Sequence, residues 1–153
     1  MCIEQLKQYF EKDQIGKPKY TKKIGDLQIE DLIIMNLGYK PVIKTFDSWY
    51  KTTKFLEYDR FIDNDKTNWN KYQPEYTDCD DFAIALWGSF SKNPNWSSLA
   101  FGVVCADFNN GKNAHAFNIF ITNDHSVFYC EPQNDKIWLM SADKKYKPYF
   151  IMF

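Results

Sequence analysis

Apolar residues fall at helical spacing in the first half of the chain and alternate with polar ones in the second. Ile3, Leu6 and Phe10 share one face and predict a helix over residues 2–13, which Gly16-Lys17-Pro18 ends. A second helix is predicted over residues 29–37, closed by Gly38 with Pro41 beyond it. Phe46, Trp49, Tyr50, Phe55, Leu56 and Phe61 favour helix over strand for residues 46–61, with Thr52-Thr53 speaking against it. Cys79, Ala83, Leu86 and Phe90 then recur at i, i+4, i+7 and i+11 and define a central amphipathic helix.

Beyond Asn95 the period changes. Strands are predicted near residues 99–107, 114–121, 126–131 and 136–140. Asn109-Asn110-Gly111, Asn123-Asp124 and Asn134-Asp135 are the turns between them, rich in residues that tolerate turn geometry. Helices first and an antiparallel meander after them make an α+β architecture. No repeat or linker divides the chain, so residues 1–153 are expected to form one domain.

Composition narrows the function. A net charge of −1 without a basic block gives no footprint for nucleic acid or an anionic membrane. The first residues lack a signal peptide's basic start and apolar run, which makes the cytoplasm the expected location. The aromatic share of 18% is explained most simply by an aromatic core. Of the cysteines at 2, 79, 105 and 130, Cys105 and Cys130 lie within strand patterns, where cysteine serves as a small hydrophobe. With no C-x-x-C pair, a structural zinc site is not expected.

Cys79 is different because it opens the central helix. Thr77 or Asp78 can cap that helix, with Asp80 at the capping-box spacing from Thr77. The positive end of the helix favours thiolate over thiol. Downstream, His115 opens an apolar strand and Glu131 lies on the next, with Gln133 as a second choice. Cysteine, then histidine, then carboxylate or amide is the papain-like order of parts. The expectation is a cysteine peptidase or amidohydrolase acting on a peptide or peptide-like substrate. In it Cys79 attacks a carbonyl, His115 moves the proton, Glu131 orients the ring and Gln73 donates to the oxyanion. Asp78, Asp80 and Asp81 oppose a thiolate, and a bound calcium ion held by Asp80 and Asp81 would offset them. Asp63 to Asn68 resembles the start of a calcium loop, but without its glycine and closing glutamate it reads as a solvated turn.

Register decides whether Glu131 can serve. A two-residue turn at Asn123-Asp124 pairs His115 with Pro132 and turns Glu131 away. A three-residue loop, Asn123-Asp124-His125, pairs Phe117 with Glu131 and puts Glu131 diagonal to His115 on one face. The triad needs the second register.

Cys79-Asp80-Asp81-Phe82-Ala83, His115-Ala116-Phe117-Asn118 and Glu131-Pro132-Gln133 together resemble the papain-like domain attached to certain fungal ricin-type lectins, relatives of which stand alone in bacteria and phages. The resemblance covers residues 70 to 140. It implies a papain-like fold and a calcium-dependent protease with its triad on Cys79, His115 and Glu131 and metal on Asp80 and Asp81. The β-trefoil part is absent, so sugar binding is not implied. Two alternatives stand beside it: a peptidoglycan amidase or endopeptidase of bacterial or phage origin, and a catalytically inactive papain-like binding domain.

Overall fold

The computed structural model describes residues 15–153, and the helix expected over residues 2–13 lies outside them. Among the described residues the chain is mixed α+β. It runs β1 (Lys22–Gly25), α1 (Asp26–Leu37), β2 (Val42–Lys44), β3 (Trp49–Thr52), α2 (Phe55–Asn64), α3 (Cys79–Lys92), β4 (Phe101–Phe108), β5 (Asn113–Ile121), β6 (Val127–Glu131), β7 (Lys136–Leu139) and β8 (Lys147–Met152).

Helix α1 ends as the sequence says, with Gly38 in the left-handed conformation and its N–H bonded to the Ile34 carbonyl. The helix expected over 46–61 is corrected to a strand and then a shorter helix. Tyr50 and Thr52 are buried while Trp49 and Lys51 are exposed, a period of two that suits pairing with β1. Helical spacing resumes only at Phe55, where Tyr58, Phe61 and Ile62 bury one face. Asp63 and Asn64 end that helix, and a single 3-10 turn, Thr67–Trp69, follows.

The main sheet has the order β2-β8-β4-β5-β6-β7. The expected meander is its β4 to β7 half. Two strands absent from the expectation extend it: β8 pairs antiparallel with β4, and β2 pairs parallel with β8. Gly102 lets β8 approach, since a Cβ there would sit 2.2 Å from the Met152 carbonyl oxygen.

Alternation along β5 divides the core between the sheet's faces. Phe117, Ile119 and Ile121 join Val104, Tyr129 and Ile151 beneath Ile29 and Ile33 of α1. Phe120 joins Phe101 and Cys130 beneath Tyr58 and Ile62 of α2 and Leu86 and Phe90 of α3. The aromatic share is therefore chiefly core. Phe90 and Phe101 stack at 3.9 Å and Tyr58 and Phe120 at 4.4 Å, which adds to the burial of the rings themselves. Among the described residues, no helix is long and apolar enough to cross a membrane.

Candidate functional site

Helix α3 begins at the cysteine. Its cap is Asp78, not Thr77, in a reciprocal capping box with Asp81. The Asp81 carboxylate accepts the Asp78 N–H at 3.2 Å. The carboxylates at the first turn thus answer unpaired helix donors, which is why so acidic a start is stable. Cys79, the first helical residue, is half-buried against Ala83, Val103 and Ala116. Asn118, fully buried on β5, fixes the helix to the sheet by donating to the Ala83 carbonyl at 2.8 Å and the Gly102 carbonyl at 3.0 Å.

The β5–β6 loop takes the three-residue form. Ile121 pairs with Val127 and Asn118 with Cys130, the register that sets Glu131 opposite Phe117. His125 stands at φ 65°, the left-handed third position such a loop requires. Strand β6 pairs with β5 only from Asn118 onward, so the His115 end of β5 keeps β4 as its one neighbour. In that open corner the His115 Nε2 and a Glu131 carboxylate oxygen lie 2.6 Å apart. Both side chains are largely covered, at 16% and 14% exposure, so their charges are weakly screened.

Cys79 is the second group that acts on this ring. Burial works against a charged imidazole here. Hydrogen bonds to Cys79 and Glu131 and attraction to their charge outweigh it, and His115 is pushed up to about 9. The ring is therefore a cation at neutral pH, with the Glu131 carboxylate against its Nε2. A sulfur so placed can react with an electrophile, and the site can equally hold a ligand without reacting.

The other expected residues are placed differently. Gln73 lies in a tight turn, its backbone exchanging hydrogen bonds with Thr77 at 2.9 and 2.8 Å and its side chain exposed. The Gln133 N–H turns back to Glu131, at 3.4 Å from the second carboxylate oxygen. Asp78, Cys79 and Asp80 bring one ligand atom each within 4.8 Å of one another, while Asp81 is spent in the capping box. Calcium takes six to eight oxygens, so the carboxylates here could supply only part of its shell. The Asp80 carboxyl is raised above its usual range, first by a hydrogen bond to Asp78, then by burial and by repulsion from Asp78 and Asp81. Cys105 is raised by burial and then by the neighbouring Asp80 and Cys79 charges, as suits a packed thiol.

Tyr146, absent from the sequence expectations, stacks on His115 with centroids 5.6 Å apart. Asp143 holds it there by accepting the Tyr146 N–H at 3.0 Å and the Lys145 N–H at 2.7 Å. An aspartate two and three residues before those donors is a turn signal that the sequence carries.

The family model described as the ricin-type beta-trefoil lectin C-terminal domain matches residues 28–153. No curated protein matches the chain. Among solved structures, one described as the PSL1a–E64 complex is 24% identical, with a TM-score of 0.72 over 86% of this chain and 50% of its own. Another, the Polyporus squamosus lectin bound to the human-type influenza-binding epitope Neu5Aca2-6Galb1-4GlcNAc, is 23% identical, with a TM-score of 0.69 over 88% and 50%. The chain spans half the length of each, and at such identity the likeness shows the fold.

These findings correct the expected activity. The matching family is described as a lectin domain, so the assignment as a cysteine peptidase or amidohydrolase gives way to a binding domain. A peptide substrate as partner gives way with it, to a ligand in general. The physical reason is that a cysteine, histidine and acid at this spacing fix a geometry and not a use.

Proposed function

The chain belongs to the ricin-type β-trefoil lectin C-terminal domain family, and from that membership we propose that it is a ligand-binding domain whose ligand is held where Cys79, His115 and Glu131 meet. The observation that carries this is the half-buried 2.6 Å contact between His115 and Glu131 at the end of β5 that β6 leaves open. A cation poised beside a half-buried sulfur is a site prepared for something other than packing. The helix-borne sulfur facing a strand-borne imidazole also supports a papain-like arrangement of the two halves. E64, the ligand named for one similar structure, is the first to test here. E64 is an epoxide. Addition of the sulfur to a ring carbon breaks one C–O bond, and the ring oxygen takes a proton from His115, giving one adduct per chain without turnover.

Intact-mass measurement after exposure to E64 tests the proposal. One added E64 per chain is expected, absent in Cys79→Ala and formed more slowly in His115→Ala. A wild-type chain that keeps its mass, while remaining open to iodoacetamide only at the rate of an ordinary thiol, would refute the site.

A further inference from the structure

Residues 15–25 carry four lysines and no acid, and residues 48–56 carry two more lysines and no acid. Neither stretch is a basic block by itself. Antiparallel pairing of β1 with β3 makes them neighbours and assembles one. Lys22, Lys23, Lys51 and Lys54 are all exposed there.

Lys23 and Lys51 are direct cross-strand partners, so both ammonium groups stand on one face. Like charges directly opposite destabilise a sheet. Among the described residues, none of these four lysines has an ion-pair partner. Two flanking acids are engaged elsewhere: Asp26 accepts the Leu27 N–H at 2.8 Å, and Asp124 accepts the Thr122 hydroxyl and, at 3.3 Å, the Ser126 N–H. Asp47, two residues before Trp49, leaves the balance positive.

Two exposed rings stand among the lysines. Trp49 shares the face of Lys23 and Lys51 and pairs with Gly25, which has no side chain to cover it. The ring stays 63% exposed, with the Lys23 Nζ 5.6 Å from its centroid. At the other end of the ribbon Tyr20 is 56% exposed, and the Lys54 Nζ lies 3.9 Å from its centroid. The Tyr20 carbonyl accepts the Thr53 hydroxyl at 3.0 Å and the Asn123 amide at 2.8 Å, which ties this ring's backbone to the end of β3.

We infer that this face docks on an anionic lipid bilayer, with the lysines at the headgroups and Trp49 and Tyr20 at the interface. Trp and Tyr favour the headgroup level, where one part of the ring is apolar and the other wet. Lysine is a point charge suited to a diffuse anionic layer, whereas nucleic-acid phosphates and base edges are best matched by the arginine fork. Neither stretch contains an arginine. A negative surface also removes the repulsion between Lys23 and Lys51. The inference goes beyond the Cys79 site and does not depend on it.

Co-sedimentation of the full chain with vesicles tests it, in about 0.1 M salt, where surface charge is felt over roughly 10 Å. Vesicles of phosphatidylcholine and phosphatidylglycerol in equal parts are expected to carry the chain down, and phosphatidylcholine alone is not. Binding should shift the indole fluorescence to the blue, and Trp49→Ala should lose that shift. Each lysine near such a surface strengthens binding roughly fivefold, so Lys23→Gln/Lys51→Gln should bind about tenfold more weakly or worse. That variant is expected to keep the far-ultraviolet circular dichroism of the parent chain. No sedimentation with the anionic vesicles overturns the inference, as does equal sedimentation with neutral ones or unchanged binding in the double variant. Release from the vesicles by DNA duplex at equal phosphate concentration would assign the face to nucleic acid and overturn it too.

Discussion

The two ends of β5 obey opposite rules. At one end Phe120 pairs with Phe101 on β4 and Phe128 on β6, and its ring stacks on Tyr58. Every backbone group there has a neighbour on both sides, and the side chain is wholly buried. At the other end His115 pairs with Ala106 alone, because β6 has already turned away at Glu131. Chemistry occupies the space that the missing neighbour leaves. The comparison teaches that the closed end positions the helices, and that the open end, held by them, is where a ligand has room.

The largest effect should come from breaking the closed end. Phe120→Ala is expected to cost about 3–5 kcal/mol in a urea titration, the usual price of an aromatic cavity in a packed core. Asn118, midway along the strand, is the joint between the two ends. Asn118→Leu leaves the Ala83 and Gly102 carbonyls without their side-chain donor. It should cost about 1–3 kcal/mol by the same titration and slow E64 uptake by letting the start of α3 shift.

Next comes electrostatics at the open end. His115 has a folded value of about 9 against 6.5 when unfolded. Its contribution to stability is therefore full below pH 6.5 and lost as the pH rises through about 9. Stability of Glu131→Gln should depend less on pH across that window, as thermal melts from pH 6 to pH 10 would show.

The smallest effect lies away from both ends. Asp135 is pushed up to about 6, first by burial and then by Asp63 and Asp65, with Lys66 opposing. It accepts the Asn68 amide at 2.5 Å from a left-handed turn position that asparagine also tolerates. A raised carboxyl costs stability as the pH climbs from 3.8 through about 6. Asp135→Asn should raise the melting temperature at pH 7 and leave it unchanged below pH 3.8; because the group is only partly buried and solvent screens it, the gain is under about 1 kcal/mol.

Much of the open end was legible in the chain. A helix that starts at a cysteine, a loop whose length sets register, and a glutamate that this register turns toward a histidine are all local or period-two signals. Of the two caps the sequence offers, Thr77 and Asp78, the helix uses Asp78, and the box closes on Asp81 in place of the Thr77–Asp80 pair because both pairs satisfy the same spacing. Strand β3 was hidden among aromatics whose spacing also suits a helix. Strand β8 begins Lys147-Pro148 and lies far in sequence from β4, so nothing local announces their pairing. Tyr146 was missed for the same reason, since only the folded sheet brings residues 138–146 behind His115. Use was the least legible layer: the spacing of Cys79, His115 and Glu131 describes a geometry that both hydrolases and binding sites employ.

The central claim is that sulfur, imidazole and carboxylate share one corner, and titration of the His115 ring by NMR tests it most directly. The account predicts a midpoint near 9 that falls toward 6.5 in Cys79→Ala and in Glu131→Gln. A midpoint near 6.5 in the unaltered chain, indifferent to either substitution, would contradict it.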